Sequence, residues 1–282
     1  MNITPRIHCL KIDFQVTPEI HRFVNLYLLI GKKIYLIDAG VAGSARIVQN
    51  YLAALGRSME EIDGLFLTHS HPDHIGGAAA IKRLSDCKVY ASTTEQEWIE
   101  DIDRQFRERP VPNFYSLLNE SVGIDTFVRE GDVITCGNDF SLEVLDTPGH
   151  SRGSQSFLLR EERVLFTGDS IPVPGDIPIY VSPGQCKRSL QRMLTLDDVD
   201  SYCSAWDEVK NGKEGRQAIA QALENQAGLD RAVRQTLQSH AEDSIDLQFR
   251  EVCRILGLEK LEQIAPFRQS ITAHLNELKA GF

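Results

Sequence analysis

A dense group of metal-capable side chains stands in residues 68–74, which read Thr-His-Ser-His-Pro-Asp-His. Its imidazole and carboxylate groups each offer a lone pair to a divalent metal ion. In an extended stretch, His69 and His71 point to the same side of the chain. Pro72 then bends the chain, so that Asp73 and His74 approach the same space from another direction. Two ligand subsets facing one space are what a two-metal site requires. The run therefore predicts a metal site, with surface loop histidines as the alternative.

Two further loops have the same character. A strand-like segment at 142–145 leads into a glycine-containing turn with His150, and another at 164–166 leads into a turn with Asp169. The first run likewise follows the short apolar segment 65–67 directly. Half of the eight histidines lie in these loops. Because functional side chains are commonly carried by loops on a rigid scaffold, we expect all three loops to deliver ligands to one edge.

Taken together, the motifs resemble the metallo-β-lactamase superfamily of metal hydrolases. The resemblance runs from about residue 23 to about residue 206 and is carried by the H-x-H-x-D-H run, with Gly-Gly after it, and by four other segments. These are Asn25-Leu26-Tyr27-Leu28, Leu36-Ile37-Asp38-Ala39-Gly40, Thr147-Pro148-Gly149-His150-Ser151 and Phe166-Thr167-Gly168-Asp169. The resemblance implies an α/β fold, a four-layer αβ/βα sandwich of two mixed sheets packed face to face with helices outside. It says little about which member this is.

The family also implies roles for the candidate ligands. The first metal would be held by His69, His71 and His150. Asp73 and His74 would hold the second metal, and Asp169 would bridge both. A water or hydroxide between two divalent ions would act as the nucleophile, because a bound dication lowers its pKa to near neutrality. Asp73 would also help to orient this nucleophile or accept its proton. Zinc is the metal expected first, with manganese or iron as alternatives.

One departure from the family pattern concerns the last ligand. The family supplies a further histidine to the second metal, but here that place reads Tyr-Cys-Ser-Ala-Trp-Asp at 202–207, and no histidine lies between His150 and His240. Asp207 is the candidate replacement, since a carboxylate is a competent ligand for these metals. The alternatives are a helix cap before residues 208–210, or a second site that is weak, empty or completed by water.

Supporting residues can be assigned around this site. Asp38 resembles a family aspartate and is expected to orient a histidine ligand through its second ring nitrogen. Tyr180 lies in the proline-rich loop 171–183, which is expected to rim the pocket; a packing role is favoured, with substrate contact as the alternative. Segment 93–121 is expected to form two helical pieces around a proline kink and to act as a lid or pocket wall. The remaining histidines are expected to be structural or on the surface, namely His8, His21, His240 and His274.

The patterning of apolar residues indicates the elements that hold these loops. Segments 23–30 and 33–37 predict a β-hairpin around a Gly-Lys turn. Helical spacing of apolar residues predicts helices over 44–55, 76–84 and 185–196. From residue 215 to the end the pattern is helical, with breaks predicted at 228–230 and 257–259. We therefore expect a catalytic domain over 1–210 and a helical C-terminal extension over 211–282.

Composition bounds the function. The net charge is −10, from 30 basic and 40 acidic residues, which argues against nucleic acid as a partner because such binding depends on Lys and Arg. No apolar run is long enough to span a membrane, and no secretory signal is evident. Six scattered cysteines without a C-x-x-C pair predict reduced, buried thiols. A cytoplasmic protein that acts on a small molecule is expected.

The resulting hypothesis is a dinuclear metal-dependent hydrolase of a small ester, thioester, lactone or phosphoester, using a metal-bound hydroxide. Two alternatives stay open. One is a mononuclear iron oxidoreductase of the persulfide dioxygenase type, and the other is a non-catalytic metal- or ligand-binding module. The C-terminal helices carry an apolar stripe that predicts core packing, with a homodimer interface as the alternative. This stripe consists of Ile245, Phe249, Val252, Ile255 and Leu256.

Overall fold

The computed structural model describes residues 1–17, 20–173, 175–176 and 178–280. Within these residues the strands form two six-stranded sheets. The strands of the first sheet, in spatial order, are β1 (Ile7–Thr17), β2 (Ile20–Ile30), β3 (Ile34–Ile37), β4 (Ile62–Phe66), β5 (Lys88–Ala91) and β6 (Thr126–Phe127). The pairs from β1 to β3 are antiparallel, and those from β3 to β6 are parallel. The predicted hairpin over residues 23–37 is therefore confirmed.

The second sheet consists of the remaining strands. They are β7 (Val133–Cys136), β8 (Phe140–Asp146), β9 (Gln155–Leu159), β10 (Val164–Gly168), β11 (Ser201–Ser204) and β12 (Lys210–Asn211), and they lie in sequence order across the sheet. All pairs are antiparallel except β10 with β11, which is parallel. Both sheets are thus mixed, as predicted.

Helices connect and cover the sheets. They are α1 (Ser44–Ala54), α2 (Pro72–Ile75), α3 (Ala78–Ser85), α4 (Gln96–Glu100), α5 (Ile102–Glu108), α6 (Phe114–Leu117), α7 (Pro183–Leu194), α8 (Gly212–Ser239), α9 (Ile245–Leu256) and α10 (Ala265–Ala280). Single 3₁₀ turns lie at Met59–Glu61, Thr93–Glu95 and Glu259–Leu261. No helix of the described residues is long and apolar enough to cross a membrane.

The layers follow from strand periodicity. Along β2, Tyr27 and Leu29 pack between the sheets with Phe157 and Phe166, whereas Leu26 and Leu28 pack against the helices on the other face. Alternate side chains of a strand point to opposite faces, so a strand that is buried throughout requires a layer on each side. The order is helices, sheet, sheet, helices, and the predicted four-layer αβ/βα sandwich is confirmed.

The C-terminal helices are present as predicted, with one correction. A break was expected at 228–230, but α8 runs without interruption from Gly212 to Ser239. Its buried stripe, which includes Leu229, Ala232 and Val233, keeps helical spacing past Gly228. A single glycine costs a helix only about 1 kcal/mol, which packing of this face offsets. The second predicted break is confirmed, since α9 ends before Gly257, whose φ is 68°.

The apolar stripe of α9 packs within its own chain. Phe249 and Val252 are fully buried in a cluster that also contains Leu158 and Leu165 of the second sheet, and Ile255 and Leu256 are packed against it. The favoured prediction of core packing is therefore confirmed for these four residues. All six cysteines are buried and free, as predicted.

Candidate metal centre

Side chains from three loops meet at one edge of the sandwich. His69 and His71 follow β4, His150 follows β8, and Asp169 follows β10. One ligand atom from each of these four residues lies within 4.8 Å of all the others. The structure thus brings together residues that are up to 100 positions apart in the sequence, at the edge where the strand order predicted them.

The two sheets touch beside this centre. The backbone N–H of Gln155 in β9 donates to the Thr68 carbonyl at 2.9 Å, which links the second sheet to the loop after β4. Gly168 has a φ of 50°, and a Cβ at this position would lie 2.6 Å from Thr68 Oγ1. Only glycine accommodates both the positive φ and this close approach. The ligand loops are therefore fixed by contact between the strand ends of both sheets.

The two oxygens of Asp169 face different histidines. Its Oδ2 lies 3.3 Å from His150 Nε2 and 4.0 Å from His69 Nε2. Its Oδ1 lies 3.3 Å from His74 Nε2, and His74 Nε2 lies 3.7 Å from Asp73 Oδ2. The residues predicted for two metals thus form two adjoining groups with Asp169 between them.

Hydrogen bonds outside the centre orient the rings. His74 Nδ1 lies 2.8 Å from Asp38 Oδ2, and His150 Nδ1 lies 2.8 Å from the Ile179 carbonyl. Such bonds leave the Nε2 lone pair of each ring directed at the centre. The contact of Asp38 with His74 is the one that its predicted orienting role requires. His71 differs, since its Nδ1 faces the centre and lies 2.8 Å from His150 Nε2.

Several buried polar atoms at the centre lack a hydrogen-bond partner among the described residues. They are His69 Nε2, His74 Nε2 and Asp169 Oδ1. Nearly all buried polar atoms in folded proteins are hydrogen bonded, so unpaired ones need an explanation. Imidazole nitrogen and carboxylate oxygen form a donor set for zinc, manganese or iron. The residues present therefore fit a divalent metal centre.

Protonation supports the same assignment. Burial lowers the pKa of His69 and His71 well below the usual range, and the neighbouring imidazoles lower it further. Both rings are thus neutral at neutral pH, with a lone pair available. Burial also acts to lower the pKa of His74, but the carboxylates of Asp169, Asp38 and Asp73 outweigh it and raise this pKa well above the usual range. This excess of carboxylates suits a dication.

The structure does not bring Asp207 to the centre. Its Oδ2 lies 2.9 Å from Lys210 Nζ, and its Oδ1 accepts from the backbone N–H of Glu208. The neighbouring Trp206 instead donates its indole N–H to Asp73 Oδ2 at 2.9 Å. A lysine three residues further on holds the carboxylate in a local turn. Asp207 as a metal ligand stays a prediction that these contacts do not support. The alternative of a helix cap is wrong, since residues 208–209 lie outside any helix and Lys210 begins β12.

Sequence reasoning missed Glu95, which ties two ligand loops together. This buried carboxylate accepts from the backbone N–H and the hydroxyl of Ser70, from the Ser151 hydroxyl at 2.6 Å and from the Gly153 N–H at 2.6 Å. Ser70 lies between His69 and His71, and Ser151 follows His150. A signal was available, because Glu95 follows β5, the next parallel strand after β4, and so belongs to the same sheet edge.

Segment 93–121 lies against the ligand loops, as its predicted role as a pocket wall requires. Gln105 of α5 donates to the Ser70 carbonyl at 2.5 Å. Arg109 follows α5, and burial lowers the pKa of its guanidinium, although the carboxylates of Asp73, Asp169 and Glu95 act in the opposite direction. In the part of the chain that the structure describes, this guanidinium has no hydrogen-bond or ion-pair partner.

Comparison with known proteins agrees with this arrangement. The family model of the Metallo-beta-lactamase superfamily matches residues 21–205, more than half of the chain. The chain belongs to the metallo-beta-lactamase superfamily. The resemblance inferred from the motifs is thus confirmed, and the centre described above stands where the superfamily motifs meet. Membership places the chain among metal-dependent hydrolases, as predicted.

Relatives within the superfamily match half of the chain or more. A hydroxyacylglutathione hydrolase of Shewanella baltica is 28% identical over 254 residues, 89% of this chain and 82% of that protein. One of Bdellovibrio bacteriovorus is 31% identical over 140 residues, 50% of this chain and 44% of that protein. A metallo-beta-lactamase family protein of Thermus thermophilus has a TM-score of 0.74 at 22% identity, covering 99% of this chain and 95% of that one. A beta-lactamase domain protein of Burkholderia ambifaria gives a TM-score of 0.76 at 19% identity, covering 100% and 88%.

Proposed function

We propose that this protein is a dinuclear metal-dependent hydrolase that cleaves the thioester of a small acidic thiol. The observation that carries the proposal is that the two carboxylate oxygens of Asp169 face different histidines. Its Oδ2 lies 3.3 Å from His150 Nε2, and its Oδ1 lies 3.3 Å from His74 Nε2. A carboxylate with one oxygen toward each of two ligand groups is placed to bridge two ions. The first ion would be held by His69, His71, His150 and Asp169, and the second by Asp73, His74 and Asp169.

Zinc is the metal we expect first, because the donor set is dominated by imidazole nitrogen. When bound, two such ions supply an activated water at neutral pH and polarise the scissile carbonyl. The surrounding residues hold the ligands and Asp73 in position. Trp206 fixes the Asp73 carboxylate through its indole N–H, so that Asp73 is held to orient the attacking water. Asp38 and the Ile179 carbonyl hold the rings of His74 and His150.

The surroundings of the centre and the relatives support the proposed substrate class. A small cavity of about 50 Å³ opens at His150 and Asp169 and is bounded by Ile171 and Trp206. Arg109 adds a cation beside these carboxylates that is unpaired within the described chain. A thiol that carries carboxylates, such as glutathione, would pair with this cation. Hydroxyacylglutathione hydrolases at 28% identity over 89% of the chain point to the same class.

The experiment compares matched substrates on the purified, metal-analysed protein. Hydrolysis of a hydroxyacylglutathione would be followed by release of the free thiol, beside the corresponding oxygen ester, a lactone and a phosphoester. We expect two metal ions per chain and the highest kcat/KM for the glutathione thioester. The His71→Ala, Asp169→Ala double variant should lose both turnover and metal, whereas His21→Ala, which alters an exposed histidine, should keep both.

The same measurement decides the last ligand and the alternatives. We expect Asp207→Asn to retain two ions, because its carboxylate is held by Lys210; loss of one ion would make Asp207 a ligand. Full metal content in the double variant would refute the centre. A single bound iron with oxygen consumption would favour the oxidoreductase, and a metal-free, inactive protein would favour the binding module.

A further inference from the structure

A short segment behind the centre supports the turn that carries His150. The Ile179 carbonyl accepts the hydrogen bond from His150 Nδ1 at 2.8 Å. The backbone N–H groups of Val181 and Ser182 both donate to the Gly149 carbonyl, at 2.7 and 3.2 Å. Residues 179–182 therefore fix both the backbone before His150 and the direction of its ring. Any displacement of this segment would move the Nε2 atom that faces Asp169.

The same segment is bonded on its other side to α10. The Tyr180 backbone N–H donates to Ser270 Oγ at 3.1 Å, and Glu277 accepts from the Ser182 hydroxyl at 3.1 Å. The Tyr180 hydroxyl is hydrogen bonded to His274 Nε2. His274 Nδ1 in turn lies 2.9 Å from the Asp230 carboxylate of α8. A continuous polar path thus leads from α8 through α10 to the segment that holds His150.

The path through Tyr180 is buried. Tyr180 is 2% exposed and belongs to the apolar cluster that contains Phe249, and His274 is fully buried. Burial raises the pKa of the Tyr180 phenol well above its usual range, so the hydroxyl keeps its proton and is available as a hydrogen-bond donor to His274 Nε2. A carboxylate facing Nδ1 fixes the imidazole tautomer that leaves Nε2 as the acceptor. The Tyr180–His274 hydrogen bond and the His274–Asp230 contact therefore link side chains of three different segments.

We propose that Tyr180, His274 and Asp230 are positioning residues through which the C-terminal helices set the orientation of the ligand His150. This inference rests on the metal role of His150 in the proposed function. In this proposal the helical extension has a role in the hydrolase, because α8 and α10 hold residues 179–182 against the turn that carries His150. His274 was expected to be structural or on the surface.

The test removes one hydroxyl group and measures the metal site directly. Tyr180→Phe keeps the ring and its packing. The matched control is Tyr202→Phe, because Tyr202 is 1% exposed, lies in the same cluster and has a hydroxyl without a hydrogen-bond partner among the described residues. Cobalt(II) would be loaded into each protein, and its visible ligand-field spectrum and its affinity in competition with a chelator would be recorded. We expect Tyr180→Phe to shift the spectrum and to lower the affinity about 10- to 100-fold, the range found for groups that orient metal ligands.

A double-mutant cycle tests the path itself. Asp230→Asn should change the cobalt spectrum in the same direction, and it should have little further effect when Tyr180 is already Phe, because residues of one network are not additive. Unfolding midpoints of the metal-free proteins are measured in parallel. A merely structural role would lower the midpoint of Tyr180→Phe while leaving the cobalt spectrum and affinity equal to those of Tyr202→Phe, and this result would overturn the proposal. Full additivity of the two variants would overturn the path.

The His150→Ala variant separates this inference from the proposed function. If its cobalt affinity and spectrum equal those of the unaltered protein, His150 is not a ligand and the proposed function fails first. If His150→Ala loses cobalt while Tyr180→Phe does not, only the positioning role is wrong.

Discussion

His69 Nε2, His74 Nε2 and Asp169 Oδ1 are buried without hydrogen bonds among the described residues. Leaving one such atom unpaired costs about 1–3 kcal/mol. These unpaired atoms lower the stability of the metal-free fold, and their positions are those that binding of a ligand requires. Binding of a metal to the folded state alone stabilises it by mass action, so the same atoms link metal binding to the free energy of unfolding.

At the scale of single residues, Glu95 gives the sharpest prediction. Its carboxylate accepts from Ser70, Ser151 and Gly153 and so joins the loops of His71 and His150. Glu95→Gln replaces one accepting oxygen by a donor that opposes the donors already present. We expect metal affinity and kcat/KM to fall about 10- to 100-fold. Chelator competition and thioester hydrolysis would measure the two effects.

The matched control for Glu95 is Glu97→Gln in the same segment. The Glu97 carboxylate is 64% exposed and pairs with Arg104 on the surface, where ion pairs contribute about 0–1 kcal/mol. This variant should keep the metal affinity of the unaltered protein. An equal loss in both variants would show that Glu95 has no special role in holding the loops.

At the scale of elements, the short helix α2 depends on close packing around Gly76. A Cβ at this position would lie 2.1 Å from the Leu117 carbonyl oxygen and 2.6 Å from the Ala42 nitrogen. Backbone atoms of two other segments thus approach α2 directly, and this contact presses the helix that carries Asp73 and His74 into place. Only glycine leaves room for it.

Gly76→Ala should therefore destabilise the protein, although alanine is normally the better helix residue. We expect a loss of about 1–3 kcal/mol in the free energy of unfolding, the usual cost of overpacking. The control is Gly123→Ala, where a Cβ would meet no atom of the described residues within 4 Å and the change should stay within about 0.5 kcal/mol. Urea unfolding of the metal-free proteins measures both, and equal values would contradict the packing argument.

At the scale of the whole molecule, the predicted boundary at residue 210 divides a shared core. One apolar cluster includes Leu145 and Leu165 of the second sheet together with Ile219 of α8 and Phe249 of α9. Removing the helices would expose this face of the sheet to water. We propose that segments 1–210 and 211–282 differ in composition but fold as one cooperative unit.

This proposal predicts coincident unfolding transitions. Both tryptophans, Trp98 and Trp206, precede residue 210, so their fluorescence reports on the first segment. Ellipticity at 222 nm is sensitive to the long helices of the second segment, chiefly α8 and α10. We expect the two signals to give the same urea midpoint, as a two-state transition requires. Separate midpoints would mean that the extension unfolds on its own.

The sequence by itself determined the fold and most of the centre. The type of each ligand and its place at the end of a strand are local properties of the chain. The order of the motifs along the chain then predicted that the three ligand loops meet at one edge of the sandwich. Tertiary structure alone decided that Glu95 joins two loops, that Asp207 turns to Lys210 while Trp206 meets Asp73, and that Tyr180 reaches His274. These contacts join side chains whose meeting depends on how the layers and helices pack, or, for Asp207, on a choice between local partners. Spacing in the sequence does not decide between these partners, because it does not fix which side chains the packed layers bring within reach.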